Sequence, residues 1–324
     1  MAYEILLIGL GQVGASLGLA LARAEGEIVR IGYDPDKNTA KEAATSGAVD
    51  RLISQPHQAF GSADLIIFAL PHDEVEAYLE RLGSRMKTET IVIDTASIRA
   101  PFFEWVAQYL PADRNVVGAT PIIGALDLEG TDPTTDADRF AGGLLAITAP
   151  PGTTERALSL AINLATILDA QPFFLDVEEH DAATAAVEDL PTLLSAAMFQ
   201  SIVDSASWRE LQRMAGSLFM QSTELCDTNP KLLQKRIAAN REILIARLDL
   251  MTQEIERMRE LIIKEQDDDL IRYFEKAAST RQTWLQARAR GDWATEEMRT
   301  KTGIENTSIM GQLFGFGQRK PKPD

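Results

Sequence analysis

The 324-residue chain is longer than one hydrophobic core usually supports, so its length predicts two domains. A formal net charge of −16 disfavours polyanionic partners, and we expect neither nucleic acid nor an anionic membrane surface to bind. Cys226 is the only cysteine, which excludes an intrachain disulfide and a cysteine-rich metal site, and we expect no metal. Because no apolar run reaches membrane length, we expect a soluble cytoplasmic protein.

Short apolar runs alternate with amphipathic stretches through the first half of the chain. The runs are bounded by turn residues and predict strands, whereas stretches such as 73–82 and 101–110 predict helices. This alternation indicates right-handed βαβ units and a parallel sheet covered by helices on both faces. The segment NVVGATPIIGAL, residues 115–126, predicts a strand that breaks into a loop around Thr120 and Pro121.

The second half of the chain has a helical pattern. We predict an α/β fold, with a Rossmann-type doubly wound domain at 1–178, an all-helical domain at 179–300 and a flexible tail at 301–324. Within the helical domain, apolar residues at alternating three- and four-residue steps predict one long helix with a coiled-coil-like seam. The seam consists of Ile237, Leu244, Leu248, Met251, Ile255, Met258 and Ile262. It predicts either a homodimer through the helical domain or burial within one subunit.

The strongest motif is GLGQVGASLG, which follows the first predicted strand and opens a helix. Gly9, Gly11 and Gly14 form G-x-G-x-x-G, in which the glycines permit a tight turn, backbone approach to a pyrophosphate and close packing of the helix. Asp34 ends the second predicted strand, where its carboxylate can accept hydrogen bonds from ribose hydroxyls and would repel a 2′-phosphate. The site therefore favours NAD over NADP, the alternative being a scaffold that keeps its glycines for packing. The predicted cofactor-binding residues are Gly9, Leu10, Gly11, Gln12, Val13, Gly14, Asp34, Leu70, Pro71 and Asp94.

Three further segments reach the carboxyl ends of predicted strands, where ligands of such sheets bind. They are ALPHDE at 69–74, DTASIR at 94–99 and GATPIIG at 118–124. His72 in the first segment is a candidate acid/base group, the alternatives being a cap of the following helix or a solvated side chain.

In this order, these segments resemble the prephenate/arogenate dehydrogenase family. The resemblance rests on the glycine fingerprint followed by Ser-Leu, on the GYD that ends in Asp34, and on a later segment, STELCDTNPKLLQKRIAAN. It rests also on Asp94, Ser97 and Arg99, which match Asp-x-x-Ser-x-Lys with Arg in place of Lys, and on the pair His180-Asp181. The resemblance implies NAD(P)-dependent oxidation of a ring hydroxyl coupled to loss of a carboxylate, on the route to tyrosine. It also implies a cyclic hydroxy acid such as prephenate or arogenate as substrate.

The chain departs from the family at polar positions. The family's Gly-Gly-His-Pro loop is Gly-Ala-Thr-Pro here, and Thr120 can donate a hydrogen bond but cannot serve as a base. Asp189 and Thr192 replace the histidines of the family's His-Leu-Pro-His, and Glu224 aligns with an arginine that grips a substrate carboxylate. The candidate catalytic residues are Ser97, Thr120, His72 and Asp189, and the candidate substrate-binding residues are Thr192, Glu224 and Arg241.

Three hypotheses follow for the function. The first is a dehydrogenase of this family in which other side chains replace the missing groups, the candidates being His72, Asp189, His180 and Arg241. The alternative for Arg241 is a side chain at the rim of a subunit interface. The second is a catalytically silent NAD-binding paralogue that acts as a sensor or interaction protein. The third is another hydroxyacid dehydrogenase with a catalytic lysine, which the absence of lysine between Lys87 and Lys231 disfavours.

Overall fold

The computed structural model describes residues 2–24, 26–111, 115–124, 135–291 and 293. The predicted tail at 301–324 and the end of the NVVGATPIIGAL segment lie outside these residues. Backbone contacts divide the chain into two compact units. The first contains Met1–Val177 together with the chain from Ala278 onward, and the second is Glu178–Ala277. None of the described helices is long and apolar enough to cross a membrane.

Among the described residues, the strands of the first unit form one eight-stranded sheet in the order β3-β2-β1-β4-β5-β6-β7-β8. The strands are β1 (Tyr3–Ile8), β2 (Ile28–Tyr33), β3 (Arg51–Leu52), β4 (Leu65–Phe68), β5 (Ile91–Asp94), β6 (Asn115–Ile122), β7 (Leu144–Thr148) and β8 (Gln171–Phe174). Within this sheet, the pairing between described neighbours is parallel except between β6 and β7. The order reverses at β1, which lies between β2 and β4, so the crevice for a ligand opens beyond the carboxyl ends of β1 and β4. The sheet confirms the predicted Rossmann-type fold.

Helices cover both faces of this sheet, as predicted. They are α1 (Gln12–Leu21), α2 (Lys37–Thr45), α3 (His57–Phe60), α4 (His72–Leu82), α5 (Ala100–Tyr109) and α6 (Glu155–Ile167). Successive residues of a strand point to opposite faces, and β1 shows the consequence. Leu7 packs in one core with Leu17 of α1 and Leu164 of α6. Leu6 packs in a second core that includes residues of α4 and α5.

Strand β6 continues through the position where the sequence predicts a loop. Thr120 pairs with Ala146 and Pro121 with Leu145 in the antiparallel ladder with β7. Beyond the end of β6, the backbone of Gly124 lies close to the backbone of Ala141. A Cβ on Gly124 would lie only 2.2 Å from the carbonyl oxygen of Ala141. The predicted break at Thr120 is therefore wrong, since pairing with a strand distant in sequence overrides the local turn signal of proline and glycine.

Beyond β8 the described residues contain helices and turns but no strand, which confirms the helical second half. The helices are α7 (Val177–Thr184), α8 (Leu190–Val203), α9 (Trp208–Met214), α10 (Ser217–Thr223), α11 (Pro230–Ala239), α12 (Arg241–Ile263) and α13 (Asp267–Ala289). A five-residue π-helical segment, Ala185–Asp189, joins α7 to α8.

The predicted seam does not lie on a single helix. Asn240 leaves the helical conformation with φ −115° and ψ 25°, and it separates α11 from α12. The side chain of Asn240 is buried, and its Nδ2 donates to the carbonyl oxygen of Asp181 at 3.4 Å. Ile237 thus lies on α11, while the seam residues from Leu244 to Ile262 share α12. The continuous helix predicted from the apolar periodicity is wrong, because Asn240 departs from the helical conformation between Ile237 and Leu244.

Candidate active site

The glycine loop between β1 and α1 has the form that a pyrophosphate requires. Gly9 has a positive φ of 91°, and a Cβ there would lie 2.4 Å from the carbonyl oxygen of Ala69. A Cβ on Gly14 would lie 1.9 Å from the carbonyl oxygen of Gly9, so the start of the helix packs directly on the loop. Gly11 instead faces open space, because a Cβ at this position would have no described neighbour within 4 Å. The loop therefore leaves room for a phosphate group at the N-terminus of α1.

Asp34 lies at the carboxyl end of β2 and contacts the glycine loop. Its Oδ2 accepts a hydrogen bond from the amide of Leu10 at 2.6 Å, and its Oδ1 accepts from the amide of Asp36 at 2.8 Å. A carboxylate oxygen has two lone pairs, so each oxygen can still accept a hydrogen bond from a ribose hydroxyl. The structure thus brings the predicted ribose-binding carboxylate to the predicted phosphate loop.

The segment after β4 brings an apolar wall and a histidine to the same edge of the sheet. Leu70 is buried, and its Cδ2 would lie 2.9 Å from a Cβ on Gly9. Pro71 is the N-cap of α4, and His72 is its first residue. The His72 ring is buried and stacks on Trp105, with 6.4 Å between ring centroids and 9° between ring planes. The solvated position considered for His72 is therefore wrong, and its catalytic role stays a prediction.

Arg99 connects the ends of β5 and β6. It is fully buried, and its Nη1 forms an ion pair with the buried carboxylate of Asp94. Its Nη2 donates a hydrogen bond to Thr120 Oγ1 at 2.5 Å. Thr120 Oγ1 in turn donates to the carbonyl oxygen of Ala96 at 2.9 Å. A Cβ on Gly118 would lie 2.3 Å from Arg99 Nε, so this guanidinium requires glycine at that position.

Burial also sets the charge state of Asp94. Removal from water raises the pKa of Asp94 to about 6, because desolvation of the carboxylate outweighs the opposing effect of the Arg99 guanidinium. Asp94 is thus predominantly ionised at neutral pH and directed at Arg99 rather than at solvent. Ser97 lies half-buried between these two residues in the chain, in the segment that follows β5. The sequence names Arg99 only as a replacement of the family's lysine and does not predict its contact with Thr120.

In the second unit, the buried Asp189 forms an ion pair with the half-buried Arg236. Its Oδ1 lies 2.6 Å from Arg236 Nη2, and the same guanidinium contacts Glu188 Oε2 at 2.7 Å. Burial raises the pKa of Asp189, against the lowering effect of Arg236. Thr192 is also buried, and its Oγ1 donates to the carbonyl oxygen of Glu188 at 2.9 Å. The π-helical segment ends at Asp189, and such segments often occur at functional sites. The sequence analysis did not identify Arg236. The acidic Asp189 at a position where the family pattern has a histidine could have indicated that a cation lies nearby to pair with it.

The other predicted residues of the second unit differ in exposure. His180 Nδ1 lies 2.9 Å from Asp181 Oδ1, and both residues are buried. Glu224 is exposed at the start of a short 3₁₀ turn. Arg241 is also exposed and lines a groove of about 460 Å³ with Leu233, Ile237 and Ile245. The substrate-binding roles of Glu224 and Arg241 stay predictions. The described residues contain no cluster of histidine, cysteine or acidic side chains able to hold a metal ion.

A doubly wound sheet, a glycine loop open at Gly11 and a carboxylate at the end of β2 define a dinucleotide-binding protein of the oxidoreductase type. Models of two domains match the chain in order: the nucleotide-binding domain of prephenate dehydrogenase over residues 17–171, and its dimerization domain over residues 176–276. The chain therefore belongs to the prephenate/arogenate dehydrogenase family, as the sequence resemblance predicts.

Curated relatives support the same assignment. Prephenate dehydrogenase of Bacillus subtilis is 25% identical over 279 residues, which cover 86% of this chain and 75% of the relative. Cyclohexadienyl dehydrogenase of Zymomonas mobilis is 20% identical over 281 residues, which cover 86% of this chain and 94% of the relative.

The fold is shared with solved structures. Prephenate dehydrogenase from A. aeolicus, in complex with hydroxyphenyl propionate and NAD+, matches with a TM-score of 0.76 and 18% identity. That match covers 87% of this chain and 98% of the other. Synechocystis arogenate dehydrogenase matches with a TM-score of 0.69 and 23% identity, over 87% of this chain and 99% of the other.

Proposed function

We propose that this protein is an NAD-dependent dehydrogenase that oxidises the ring hydroxyl of a cyclic hydroxy acid of the prephenate or arogenate class. The observation that supports this proposal is the Thr120 hydroxyl, which hydrogen bonds with Arg99 and Ala96 hold at the position where the family pattern has a histidine. The glycine loop and Asp34 support NAD as the cofactor, as does NAD+ in the structural neighbour from A. aeolicus. A carboxylate at Asp34 disfavours the 2′-phosphate of NADP.

Thr120 is suited to orient the substrate hydroxyl. NAD, when bound, supplies the acceptor for the hydride that leaves the ring carbon. Thr120 Oγ1 donates its own proton to the carbonyl oxygen of Ala96 and accepts a hydrogen bond from Arg99, so these two groups fix the orientation of the hydroxyl. A threonine hydroxyl has no accessible pKa near neutrality, so Thr120 positions the substrate hydroxyl but does not take its proton.

We propose that His72 accepts the proton of the substrate hydroxyl. The chain contains three histidines, and the imidazole of His180 is paired with the carboxylate of Asp181. Of the two in the first unit, His57 is exposed, whereas His72 is buried in the segment that follows β4. Imidazole is the side chain most often used as a general base, and stacking on Trp105 fixes the plane of the His72 ring.

The acidic replacements at Asp189 and Glu224, where the family pattern has a histidine and an arginine, favour a substrate that carries an ammonium group. Asp189 and Glu188 both contact the one cation Arg236. The exposed Glu224 stands where the family pattern has an arginine that binds a carboxylate. Arogenate bears an ammonium group that prephenate lacks, so we expect arogenate to be the better substrate. Glu224→Arg then shifts the ratio of kcat/KM values toward prephenate, and an unchanged ratio removes Glu224 from the substrate site.

A pair of measurements tests the proposal. NAD is expected to raise the thermal unfolding temperature, and arogenate or prephenate with NAD is expected to produce NADH. If NAD raises the unfolding temperature but neither substrate yields NADH, turnover is contradicted. The remaining candidate is then the catalytically silent NAD-binding paralogue. One observation favours that second candidate, because the ion pair with Arg236 occupies the Asp189 carboxylate that would replace a family histidine. No protection at millimolar NAD contradicts the cofactor assignment itself.

We further propose a homodimer through the helical unit. The family model that matches residues 176–276 is described as a dimerization domain. Along α12, Leu248, Ile255 and Ile262 recur every seven residues, with exposed fractions of 36%, 50% and 63%. A seven-residue apolar repeat that stays exposed in one chain is typical of a helix that packs on a partner.

A further inference from the structure

The end of α13 and the residue Trp293 belong to the first unit, where they contact the backbone beside β6 and β7. Trp293 Nε1 donates a hydrogen bond to the carbonyl oxygen of Gly142, just before β7, at 2.9 Å. Arg288 Nη2 donates to the carbonyl oxygen of Ile123, the residue directly after β6. These two hydrogen bonds hold Arg288 at the end of β6.

This end of β6 lies at the edge of the sheet that carries the candidate active site. The neighbouring parallel strand β5 ends at Asp94, which pairs with Gly118, so β6 projects past it. Thr120 stands in the projecting part, and Ile123 lies three residues, or about 10 Å, further along the chain. Since ligands of such sheets bind beyond the carboxyl ends of the parallel strands, Arg288 lies on the ligand side, beyond Thr120.

The half-buried guanidinium of Arg288 forms no ion pair with a carboxylate in the part of the chain that the structure describes. Its Cζ lies 5.2 Å from the ring centroid of Trp293 and 5.8 Å from that of Trp284. Its Nε is buried and has no hydrogen-bond acceptor there. Burial lowers the pKa of Arg288, which nevertheless stays charged at neutral pH. Two indole rings thus partly remove a cation from water without supplying an anion.

A cyclic hydroxy acid of the proposed class can supply this anion. Prephenate and arogenate carry their carboxylates across the ring from the hydroxyl that is oxidised, so a hydroxyl at Thr120 leaves the carboxylates at a distance from Thr120. The arginine with which the family pattern grips a substrate carboxylate is replaced by Glu224. Another cation is therefore required for this charge, and a guanidinium pairs with a carboxylate in bidentate geometry.

We propose that Arg288 is a substrate-binding residue whose guanidinium donates hydrogen bonds to a carboxylate of the cyclic hydroxy acid, between walls formed by Trp284 and Trp293. This assignment rests on the proposed function and names the group that holds the end of the substrate remote from Thr120. The single described hydrogen bond of Arg288, to Ile123, uses one of five N–H donors and fixes the guanidinium at the end of β6.

Calorimetric titration of the full-length protein with 3-(4-hydroxyphenyl)propionate, in the presence and in the absence of NAD, tests this role. The probe has a ring hydroxyl and a carboxylate, but its aromatic ring has no hydride to lose. Arg288→Gln is expected to raise the Kd for the probe by about ten- to a hundredfold, as for loss of a charge-assisted hydrogen bond. The uncharged primary amide of the probe is expected to bind the wild type and Arg288→Gln equally. Arg288→Lys keeps the charge and is expected to recover part of the affinity.

Arg290→Gln is the matched control, because it removes the same charge from an exposed side chain two residues further along. It is expected to leave the Kd for the probe unchanged, and both variants are expected to keep the Kd for NAD. An unchanged Kd for the probe in Arg288→Gln overturns the proposal, as does an equal loss of affinity for the amide or an equal effect of Arg290→Gln. Absence of probe binding to the wild type at millimolar concentration also overturns it.

Failure of this assignment is distinguishable from failure of the proposed function. If the wild type forms NADH from neither prephenate nor arogenate, while Arg288→Gln weakens binding of the carboxylate probe alone, the proposed function fails and Arg288 stays a carboxylate-binding residue. If the wild type does form NADH, Arg288→Gln is expected to raise KM more than it lowers kcat. An unchanged KM in that case contradicts the assignment of Arg288 alone.

Discussion

Arg99 donates a hydrogen bond to Thr120 at 2.5 Å, and both residues stand at positions where the family pattern has a different side chain. A guanidinium presents several donors in a fixed fork, so Arg99 reaches the carboxylate of Asp94 and the hydroxyl of Thr120 together. A lysine ammonium at this position would be a single point charge. The two replacements therefore form one structural unit rather than two independent changes.

The first prediction concerns the hydroxyl of Thr120. Thr120→Val keeps the shape of the side chain but leaves a donor of the buried Arg99 without this acceptor, so we expect a loss of about 1–3 kcal/mol in the free energy of unfolding. We also expect kcat to fall by at least about tenfold, because the substrate hydroxyl loses its partner. Urea unfolding and steady-state kinetics measure the two effects. Thr120→Ser retains the hydroxyl, and a loss as large as that of valine would show that the hydrogen bond is unimportant.

The second prediction restores the side chains of the family pattern. Thr120→His alone places a larger ring against the buried Arg99, and we expect overpacking to cost about 1–3 kcal/mol. The double variant Arg99→Lys/Thr120→His is expected to be more stable than Thr120→His and to turn over substrate faster than it does. Additive losses in the double variant would mean that the two positions are not coupled.

The third prediction follows from the buried Asp94. Arg99→Met removes the cation that lowers the pKa of Asp94, so that pKa moves above its present value of about 6. An unpaired buried carboxylate costs about 3–5 kcal/mol at pH 7. A carboxyl group whose pKa is raised in the folded state destabilises the protein as the pH rises toward that pKa. We therefore expect Arg99→Met to lower the free energy of unfolding less at pH 5 than at pH 7. Urea unfolding at both values measures it. Arg99→Met/Asp94→Asn is expected to recover most of the loss, and no recovery would show that packing dominates.

The fourth prediction concerns Arg30 of β2, whose side chain bonds to residues of α1 and of the segment before β3. Its guanidinium donates to Asp50 and to the carbonyl oxygens of Gly18, Gly47 and Ala48. The hydrogen bonds from Arg30 lower the pKa of Asp50. A lowered pKa gives stability that is present above the unfolded-state pKa and lost as the pH falls through the folded-state pKa. We expect the wild type to lose more stability than Asp50→Asn between pH 6 and pH 3, as measured by chemical unfolding. Parallel curves would contradict this role.

The fifth prediction tests the apolar face of α12. Leu248→Glu and Ile255→Glu place charges on the exposed repeat, and we expect each to shift the protein from dimer to monomer in sedimentation experiments. Gln253→Glu is the control, because at 100° per residue it lies on the opposite side of the helix from both positions. A dimer that survives both apolar replacements would place the interface elsewhere.

The sequence by itself determined the local features. Alternating apolar runs and the glycine fingerprint predicted the doubly wound sheet and the loop at Gly9–Gly14, because strand and helix periodicity is a property of neighbouring residues. The position of Asp34 at the end of β2 was predictable for the same reason. The ordered motifs also predicted the family, which the family models confirm.

Only the tertiary structure decided which distant residues meet. Arg99 contacts a hydroxyl 21 positions away, and Arg288 contacts Ile123 from 165 positions away. Strand β6 extends through Thr120 because β7 pairs with it, and the buried side chain of Asn240, just before α12, contacts Asp181 from 59 positions away. Such contacts depend on how the chain packs, and no periodicity of neighbouring residues encodes them. The glycine loop was therefore predictable from the sequence, whereas the two arginines beside the candidate site were not.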